Sequence, residues 1–193
     1  MTTTLYIKNM VCSRCIHVVQ EELTALGLHV ERVGLGEAIL KETDVNTAAI
    51  RERLHANGFE LLETESAKLV EMVKTVIIEL AQSDELSELG ENLSGILAKR
   101  IGRDYAALSH IFSSVEALTI ERYFILQKIE RVKELLTYGE LSASEIAYKL
   151  GYSSPAHLSR QFKQTTGFTP TEFKRTRAHQ YRIPLEEIGV RNL

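Results

Sequence analysis

Tryptophan is absent from this 193-residue sequence, and it has only three prolines and two cysteines. So few prolines exclude a collagen-like chain and a proline-rich linker. Two cysteines are too few for a disulfide scaffold. No apolar run reaches the roughly 18 residues of a membrane-spanning helix, and the start, Met1 to Thr4, lacks the features of a secretion signal. We therefore expect a cytoplasmic protein with reduced thiols and no membrane association.

Charge is present in an ordinary amount, but it is unevenly distributed. The sequence is 44% hydrophobic and 25% charged, as in globular proteins, and its length allows one large or two small domains. Residues 1–65 contain six basic and ten acidic residues, a net charge of −4, whereas residues 144–182 contain seven and two, a net charge of +5. The basic segment is either a polyanion footprint or a solvated face.

The first 65 residues alternate between strand and helix patterns. The strand patterns cover residues 5–8, 28–33, 37–41 and 59–62, and the helical patterns cover residues 16–26 and 46–56. Glycine or Asn-Gly follows each helical pattern, as is typical of helix ends. The order β-α-β-β-α-β predicts an α+β ferredoxin-like sandwich over residues 1–65.

Residues 66–180 show only helical patterns and contain an internal repeat. The segment from Leu97 to Phe112 recurs 49 to 50 positions later, from Ile146 to Phe162. Each copy predicts a short helix, a glycine turn and a second helix with a polar N-cap, which is a helix-turn-helix unit. A long helix from Thr119 to Tyr138 joins the copies. We therefore predict a second, all-α domain with two such units, a linker of only residues 63–67 before it, and a tail over residues 181–193.

A helix-turn-helix unit presents its second helix to the major groove of DNA, and two units on one stiff helix reach successive grooves. Arg160 is the strongest candidate for reading a guanine edge. The candidates for phosphate contacts are Lys163, Lys174, Arg175 and Arg177. The first copy exposes Tyr105, Ala106, Ser109 and His110, a surface suited to thymine methyls and groove shape. Solvated helix faces are the alternative interpretation.

The segment from Ala143 to Lys163, ASEIAYKLGYSSPAHLSRQFK, followed by Thr166-Gly-Phe-Thr-Pro170, resembles the signature of AraC-family transcription regulators. The resemblance covers residues 68 to 177 and implies promoter binding with two recognition helices in adjacent major grooves. It implies base contacts by Ala106, Ser109 and His110 in the first unit, and by Pro155, Ala156, Ser159 and Arg160 in the second.

Both cysteines belong to one motif, Met10-Val11-Cys12-Ser13-Arg14-Cys15, where the first strand meets the first helix. Backbone N–H groups and the helix dipole stabilise thiolates at such a position. Two thiolates suit a soft ion of low coordination number, such as monovalent copper, whereas zinc needs about four ligands. A redox pair and two inert thiols are the alternatives.

Residues 4–62 resemble the heavy-metal-associated domain of copper chaperones and metal-pumping ATPases, through Met10-x-Cys12-x-x-Cys15, the β-α-β-β-α-β order and Gly58-Phe59. The resemblance implies that Cys12 and Cys15 are the metal ligands, that Met10 is a buried support for the loop, and that Phe59 packs beneath the site.

Together these patterns predict a sequence-specific DNA-binding transcriptional regulator, not an enzyme, that responds to a soft metal ion. Two alternatives stay open: a metal-trafficking protein that uses its C-terminal half for docking, and a metal-independent regulator whose first domain dimerises. Promoter DNA is the expected partner, with RNA polymerase and a second copy of the chain as further candidates. No motif for hydrolysis, phosphate binding or dinucleotide binding occurs in a suitable context.

Overall fold

The computed structural model describes residues 2–83, 86 and 92–175. The predicted tail at 181–193, the last residues of the predicted second domain and Arg177 lie outside the described residues. The chain divides into two units, Met1–Thr75 and Val76–Leu193.

The first unit contains a four-stranded antiparallel sheet in the order β2-β3-β1-β4. Its elements are β1 (Thr3–Lys8), α1 (Ser13–Ala25), β2 (Val30–Gly34), β3 (Glu37–Leu40), α2 (Thr47–Ala56) and β4 (Glu60–Leu62). The predicted element order is thus confirmed. Alternate residues of β1 and β3, among them Leu5, Ile7 and Leu40, join Val19 of α1 and Leu54 of α2 in one buried core, because successive strand side chains point to opposite faces.

Helix α3 (Glu65–Gln82) begins earlier than the sequence predicts, so most of the predicted linker at 63–67 is helical. The hydroxyl of Thr64 accepts a hydrogen bond from the Ala67 N–H at 3.2 Å, and this cap starts the helix. A Cβ atom on Gly36 would lie 2.6 Å from the Thr75 hydroxyl oxygen, and that hydroxyl donates to the Leu35 carbonyl at 3.5 Å. These contacts explain why the first unit extends to Thr75, whereas the predicted domain boundary lies at residue 65.

The described part of the second unit is helical. After the second half of α3 come α4 (Leu93–Ile101), α5 (Tyr105–Glu116), α6 (Ile120–Tyr138), α7 (Ala143–Lys149), α8 (Pro155–Thr166) and α9 (Pro170–Arg175). The two predicted helix pairs, α4–α5 and α7–α8, and the long connecting helix α6 are confirmed. None of the helices in the described ranges is long and apolar enough to cross a bilayer.

Each helix pair is joined to the helix that follows it by the same kind of aromatic contact. In the first pair the rings of Phe112 and Tyr123 meet edge to face at 5.6 Å between centroids. In the second pair the rings of Phe162 and Phe173 do so at 5.4 Å. All four side chains are at most 2% exposed, so each of these pairs anchors its second helix to the following one, α5 to α6 and α8 to α9.

Candidate nucleic-acid interface and thiol pair

Helix α5 is the second helix of the first helix-turn-helix unit. The Asp104 carboxylate accepts hydrogen bonds from the N–H groups of Ala106 and Ala107 at 2.9 and 3.3 Å, which begins the helix. Leu108 and Phe112 are buried on one side. The predicted contact residues lie away from that side: Ala106 and His110 are exposed, and Ser109 is half-buried.

Tyr105 is the exception among the residues expected on this face. Its hydroxyl donates a hydrogen bond to the Glu121 carboxylate at the start of α6. Burial, followed by the hydrogen bond to this carboxylate, raises the pKa of Tyr105, while the same bond lowers the pKa of Glu121. Tyr105 therefore holds α5 against α6, and its hydroxyl is already engaged.

Helix α8 is the second helix of the second unit. The Ser154 hydroxyl accepts a hydrogen bond from the His157 N–H at 3.1 Å, and Pro155 occupies the first helical turn, where its missing N–H costs nothing. Leu158 and Phe162 are buried. The predicted contact residues again lie away from the buried side: Ala156, Arg160 and Lys163 are exposed, and Pro155 and Ser159 are half-buried.

The 50-residue offset matches the two faces position by position. Ala106, Ser109 and His110 correspond to Ala156, Ser159 and Arg160, with the same burial class in each pair. One position of this face was not among the predicted contact residues. Ser113, which is half-buried, is the counterpart of the exposed Lys163, and the repeat offset alone was enough to find it.

The last candidates for phosphate contacts lie on α9, where Lys174 and Arg175 are both exposed. A reciprocal cap begins this helix. The Glu172 carboxylate accepts from the Thr169 N–H at 2.7 Å and from its hydroxyl at 2.8 Å, and the hydroxyl accepts from the Glu172 N–H at 3.3 Å. These bonds lower the pKa of Glu172. The positive charges of Lys163 and Arg175 lower this pKa further, so the carboxylate remains ionised.

Tyr152 joins α8 to the connecting helix and contacts two polar residues of α8. The Lys128 ammonium lies 3.8 Å from the centroid of its ring, and the His157 ring packs edge-on at 5.4 Å. The Tyr152 hydroxyl donates to the side-chain oxygen of Gln161 at 2.8 Å, and His157 shares a hydrogen bond with Ser153 at 3.1 Å. His157 and Gln161 thus have neighbours within the unit.

The thiol pair lies in the first unit, on the loop from β1 to α1. Cys12 is exposed at the start of the helix and Cys15 is half-buried, with 3.2 Å between their sulfur atoms. Asn9 adopts a left-handed φ of 72°, which asparagine tolerates better than most residues, and its amide donates to the Gly58 carbonyl at 3.0 Å. Met10 is buried, and it belongs to the same core as Phe59.

At Cys15 burial opposes the thiolate stabilisation that is expected at a helix start. Burial raises the pKa of this thiol, and the hydrogen bond and charge of Cys12 raise it further, although the backbone groups of Val11 and Cys12 lower it. The loss of hydration outweighs the backbone contribution because the sulfur packs against the apolar core. Any ion that binds Cys15 as a thiolate must therefore displace a proton.

The donor set at this loop is small. Among the described residues there is no group of three or more histidine, cysteine, aspartate or glutamate side chains able to hold a metal ion. Two sulfur ligands fit a soft ion of low coordination number, and they fall short of the four ligands that structural zinc sites take.

Comparison with known proteins bears on the second unit. Residues 97–176 match the family model described as a helix-turn-helix domain. The Msm operon regulatory protein of Streptococcus mutans is 26% identical over 129 residues, which is 66% of this chain and 44% of that protein. The arabinose operon regulatory protein of Escherichia coli is 25% identical over 92 residues, 48% of this chain and 31% of that protein.

A solved structure, the C-terminal domain of AraT, a response regulator from Geobacillus stearothermophilus, aligns with a TM-score of 0.49 at 22% identity, over 58% of this chain and 88% of that one. The chain spans less than half the length of the two regulatory proteins named above.

The matched family and the two helix pairs define the class: residues 97–176 form a helix-turn-helix domain. Two of the relatives are named as operon regulatory proteins, and the segment from Ala143 to Lys163, which resembles the AraC-family signature, lies within the matched residues.

Proposed function

We propose that this protein binds double-stranded promoter DNA in a sequence-specific manner and regulates transcription. The observation that carries the proposal is the matched pair of second helices, α5 and α8, whose polar faces are exposed or half-buried among the residues that the structure describes, while their apolar faces are buried. Helices presented in this way enter the major groove. The two relatives named as operon regulatory proteins support the same function.

The two faces have different roles in this proposal. On α8, Arg160 reads a guanine edge with its two-pronged guanidinium, while Ala156 and Ser159 allow close approach to neighbouring bases. Lys163, Lys174 and Arg175 contact phosphates and set affinity. On α5, Ala106, Ser109 and His110 meet a segment recognised by thymine methyls and groove shape. One chain therefore recognises an asymmetric site, with no need for a second copy.

Selection of bound fragments from a random DNA pool identifies the site, and the variant Arg160→Ala then tests the proposal. We expect it to weaken specific binding by about 1–3 kcal/mol and to relax the base preference at one position. Lys163→Ala is expected to weaken binding to all sequences alike and to reduce the salt slope by about one.

Arg51→Ala is the matched control for charge, because Arg51 lies in the first unit, where it is exposed and pairs with the Glu63 carboxylate. If Arg160→Ala and Arg51→Ala change the ratio of specific to random-DNA affinity equally, α8 does not read bases.

A second proposal concerns the first unit, which we infer to have a ferredoxin-like fold of the heavy-metal-associated kind. A soft metal ion, monovalent copper first, binds Cys12 and Cys15 and changes the affinity for DNA. The short distance between the two sulfur atoms on an exposed loop supports this proposal. For the ion to regulate, the DNA-competent state must bind it with a different affinity from the other state.

The metal proposal is tested with the double variant Cys12→Ser and Cys15→Ser in the full chain. We expect the parent to bind one equivalent of monovalent copper in competition with a chromophoric chelator, and the double variant to bind none. Because the Cys15 thiol must lose its proton, the affinity of the parent should fall as pH decreases.

Ser13→Ala is the control, since it alters the same loop and leaves both sulfur atoms. If copper still changes the DNA affinity of the double variant, the proposal that Cys12 and Cys15 sense the metal is refuted. Copper binding with no effect on DNA favours a trafficking role.

A further inference from the structure

The second unit contains a cavity of about 140 Å³ that the proposed DNA contacts do not use. Its walls are mainly aliphatic and aromatic side chains: Leu80, Leu93, Ile96, Phe124 and Leu150. Leu86, Gly151 and, from the connecting helix, Lys128 complete the lining. The cavity therefore places one cationic group beside aliphatic and aromatic side chains.

Lys128 is an unusual residue for this position, because the side chain is only 9% exposed. Its ammonium lies 5.5 Å from the centroid of the Phe124 ring and 3.8 Å from that of the Tyr152 ring. Among the ion pairs between described residues, none involves Lys128. Aromatic faces offset only part of the cost of burying a charge, and burial lowers the pKa of Lys128 to about 8.

Two other lysines show how the chain treats a buried ammonium elsewhere. Lys133, five residues further along α6, is 5% exposed and pairs with the Glu130 carboxylate at 2.5 Å. Lys74 on α3 is also buried, and it has an electrostatic or hydrogen-bonded neighbour. Lys128 instead has the cavity and two aromatic rings as its neighbours.

The volume indicates the size of a suitable ligand. An apolar cavity of about 150 Å³ holds one benzene molecule, so this cavity matches an apolar group of about six carbon atoms. An anionic group on such a ligand would supply the charge that Lys128 lacks, with a charge-assisted hydrogen bond from the ammonium.

We propose that this cavity binds a small monocarboxylate with an apolar body of about six carbons, and that Lys128 binds the carboxylate. Leu93 and Ile96 belong to the first helix pair, Leu150 to the second, and Phe124 and Lys128 to the connecting helix. A ligand in the cavity thus contacts the elements that position both α5 and α8. A resulting change in DNA affinity rests on the proposed function, whereas binding itself does not.

The test is a titration of the full chain, without DNA, with benzoate and with benzyl alcohol, its neutral analogue. Amide shifts of Leu150 and Gly151 in NMR spectra report binding at the cavity, and isothermal calorimetry gives the stoichiometry. We expect one saturable benzoate site with a dissociation constant of about 1 mM or lower. Benzyl alcohol should bind at least about tenfold more weakly, because it lacks the charge.

Three variants sharpen the test. Lys128→Met keeps the length of the side chain and should reduce benzoate affinity by about tenfold or more. Leu93→Phe fills the cavity, leaves the ammonium in place, and should also block binding. Lys99→Met is the control, because Lys99 is an exposed lysine on α4, and it should bind benzoate as the parent does.

The proposal is overturned if the parent shows no saturable binding, if Lys128→Met binds benzoate as tightly as Lys99→Met, or if both ligands bind equally. If Lys128→Met fails to fold by circular dichroism, Leu93→Phe decides the question. If benzoate binds but DNA affinity does not change, the binding site stands and only its regulatory effect is refuted. If the protein does not bind DNA at all, the benzoate titration still tests the binding site.

Discussion

The two helix-turn-helix units of this chain share one framework and differ in what they expose. Both have a polar cap at the start of the second helix, two buried apolar anchors within it, and an edge-to-face aromatic pair behind it. Yet Arg160 and Lys163 are exposed on α8, where α5 has His110 and Ser113. Buried positions must fit a closely packed interior, whereas exposed positions are free to change. The comparison shows that packing is duplicated and recognition is not.

A second difference is the attachment to α6. In the first helix-turn-helix unit a neutral tyrosine, Tyr105, donates a hydrogen bond to the Glu121 carboxylate. In the second helix-turn-helix unit the ring of Tyr152 contacts both the Lys128 ammonium and the His157 ring. The first attachment is a hydrogen bond near the surface, and the second depends on a buried charge.

The largest expected effect comes from a substitution at Lys128, which breaks this second attachment. Burial lowers the pKa of Lys128 from the usual 10.5 to about 8, so between these pH values the unfolded chain binds more protons than the folded one. The free energy of unfolding therefore rises as pH increases from about 8 to about 10.5. Lys128→Met removes this dependence, and at pH 7 it should stabilise the unit by about 1–3 kcal/mol, after the lost cation–π contact is subtracted.

Urea unfolding followed by amide exchange in α6 and α8, at pH 7 and at pH 10, measures both effects. Lys99→Met should keep the pH dependence of the parent. Equal stability gains from pH 7 to pH 10 in the parent and in Lys128→Met would contradict the account given for Lys128.

A smaller effect concerns the ends of the two recognition helices. Gly167 ends α8 with a φ of 81°, and Ala117 ends α5 with a φ of 55°. The glycine that the first copy lacks is therefore replaced by a strained alanine in the same left-handed conformation. Gly167→Ala should destabilise the unit by about 1–2 kcal/mol, since a Cβ there meets no atom within 4 Å and only the backbone strain counts. Ala117→Gly should stabilise it by about 0.5–1 kcal/mol.

Thermal unfolding of the two single variants and of the double variant measures these effects, and the double variant should lie between the two. If Ala117→Gly is destabilising, the left-handed conformation at Ala117 costs less than the chain entropy that glycine adds.

The smallest effect concerns the caps of the following helices. Thr169 and Glu172 form a reciprocal cap on α9, whereas on α6 Thr119 accepts from the Arg122 N–H and its side chain shares a hydrogen bond with the Glu121 carboxylate. Arg122→Glu places a carboxylate at the position that Glu172 holds in α9 and removes a cation from a helix start, which should stabilise α6 by about 0.3–1 kcal/mol. Glu172→Arg is the reverse exchange and should be destabilising in the same thermal assay. If Glu172→Arg lowers the stability but Arg122→Glu does not raise it, the two helix starts are not equivalent.

Much of the fold follows from local patterns that the sequence displays openly. The caps Asn46, Asp104 and Ser154, the glycines after the helices, and the alternation along β1 each depend on residues close in the chain. The start of α3 did not follow in the same way, although Thr64 is a good cap, because the charged segment at 63–67 resembles a linker until the contact of Gly36 with Thr75 is known.

The candidate sites divide along the same line. The exposed faces of α5 and α8 could be predicted from helical spacing and the repeat, because buried anchors define the opposite side. The engaged state of Tyr105 and His157 could not, since Glu121 and Tyr152 come from other elements. The raised pKa of the Cys15 thiol was also missed, because the sulfur's burial against the core is not visible in Cys-x-x-Cys spacing.

The sequence by itself determined the two units' element order, the duplication at a spacing of about 50 residues, and the position of the thiol pair between strand and helix. Those features arise from short-range backbone geometry and from the periodicity of apolar residues. Only the tertiary structure decided that Lys128 lies buried beside a cavity and two aromatic rings, because hydration of a charge depends on every element packed around it.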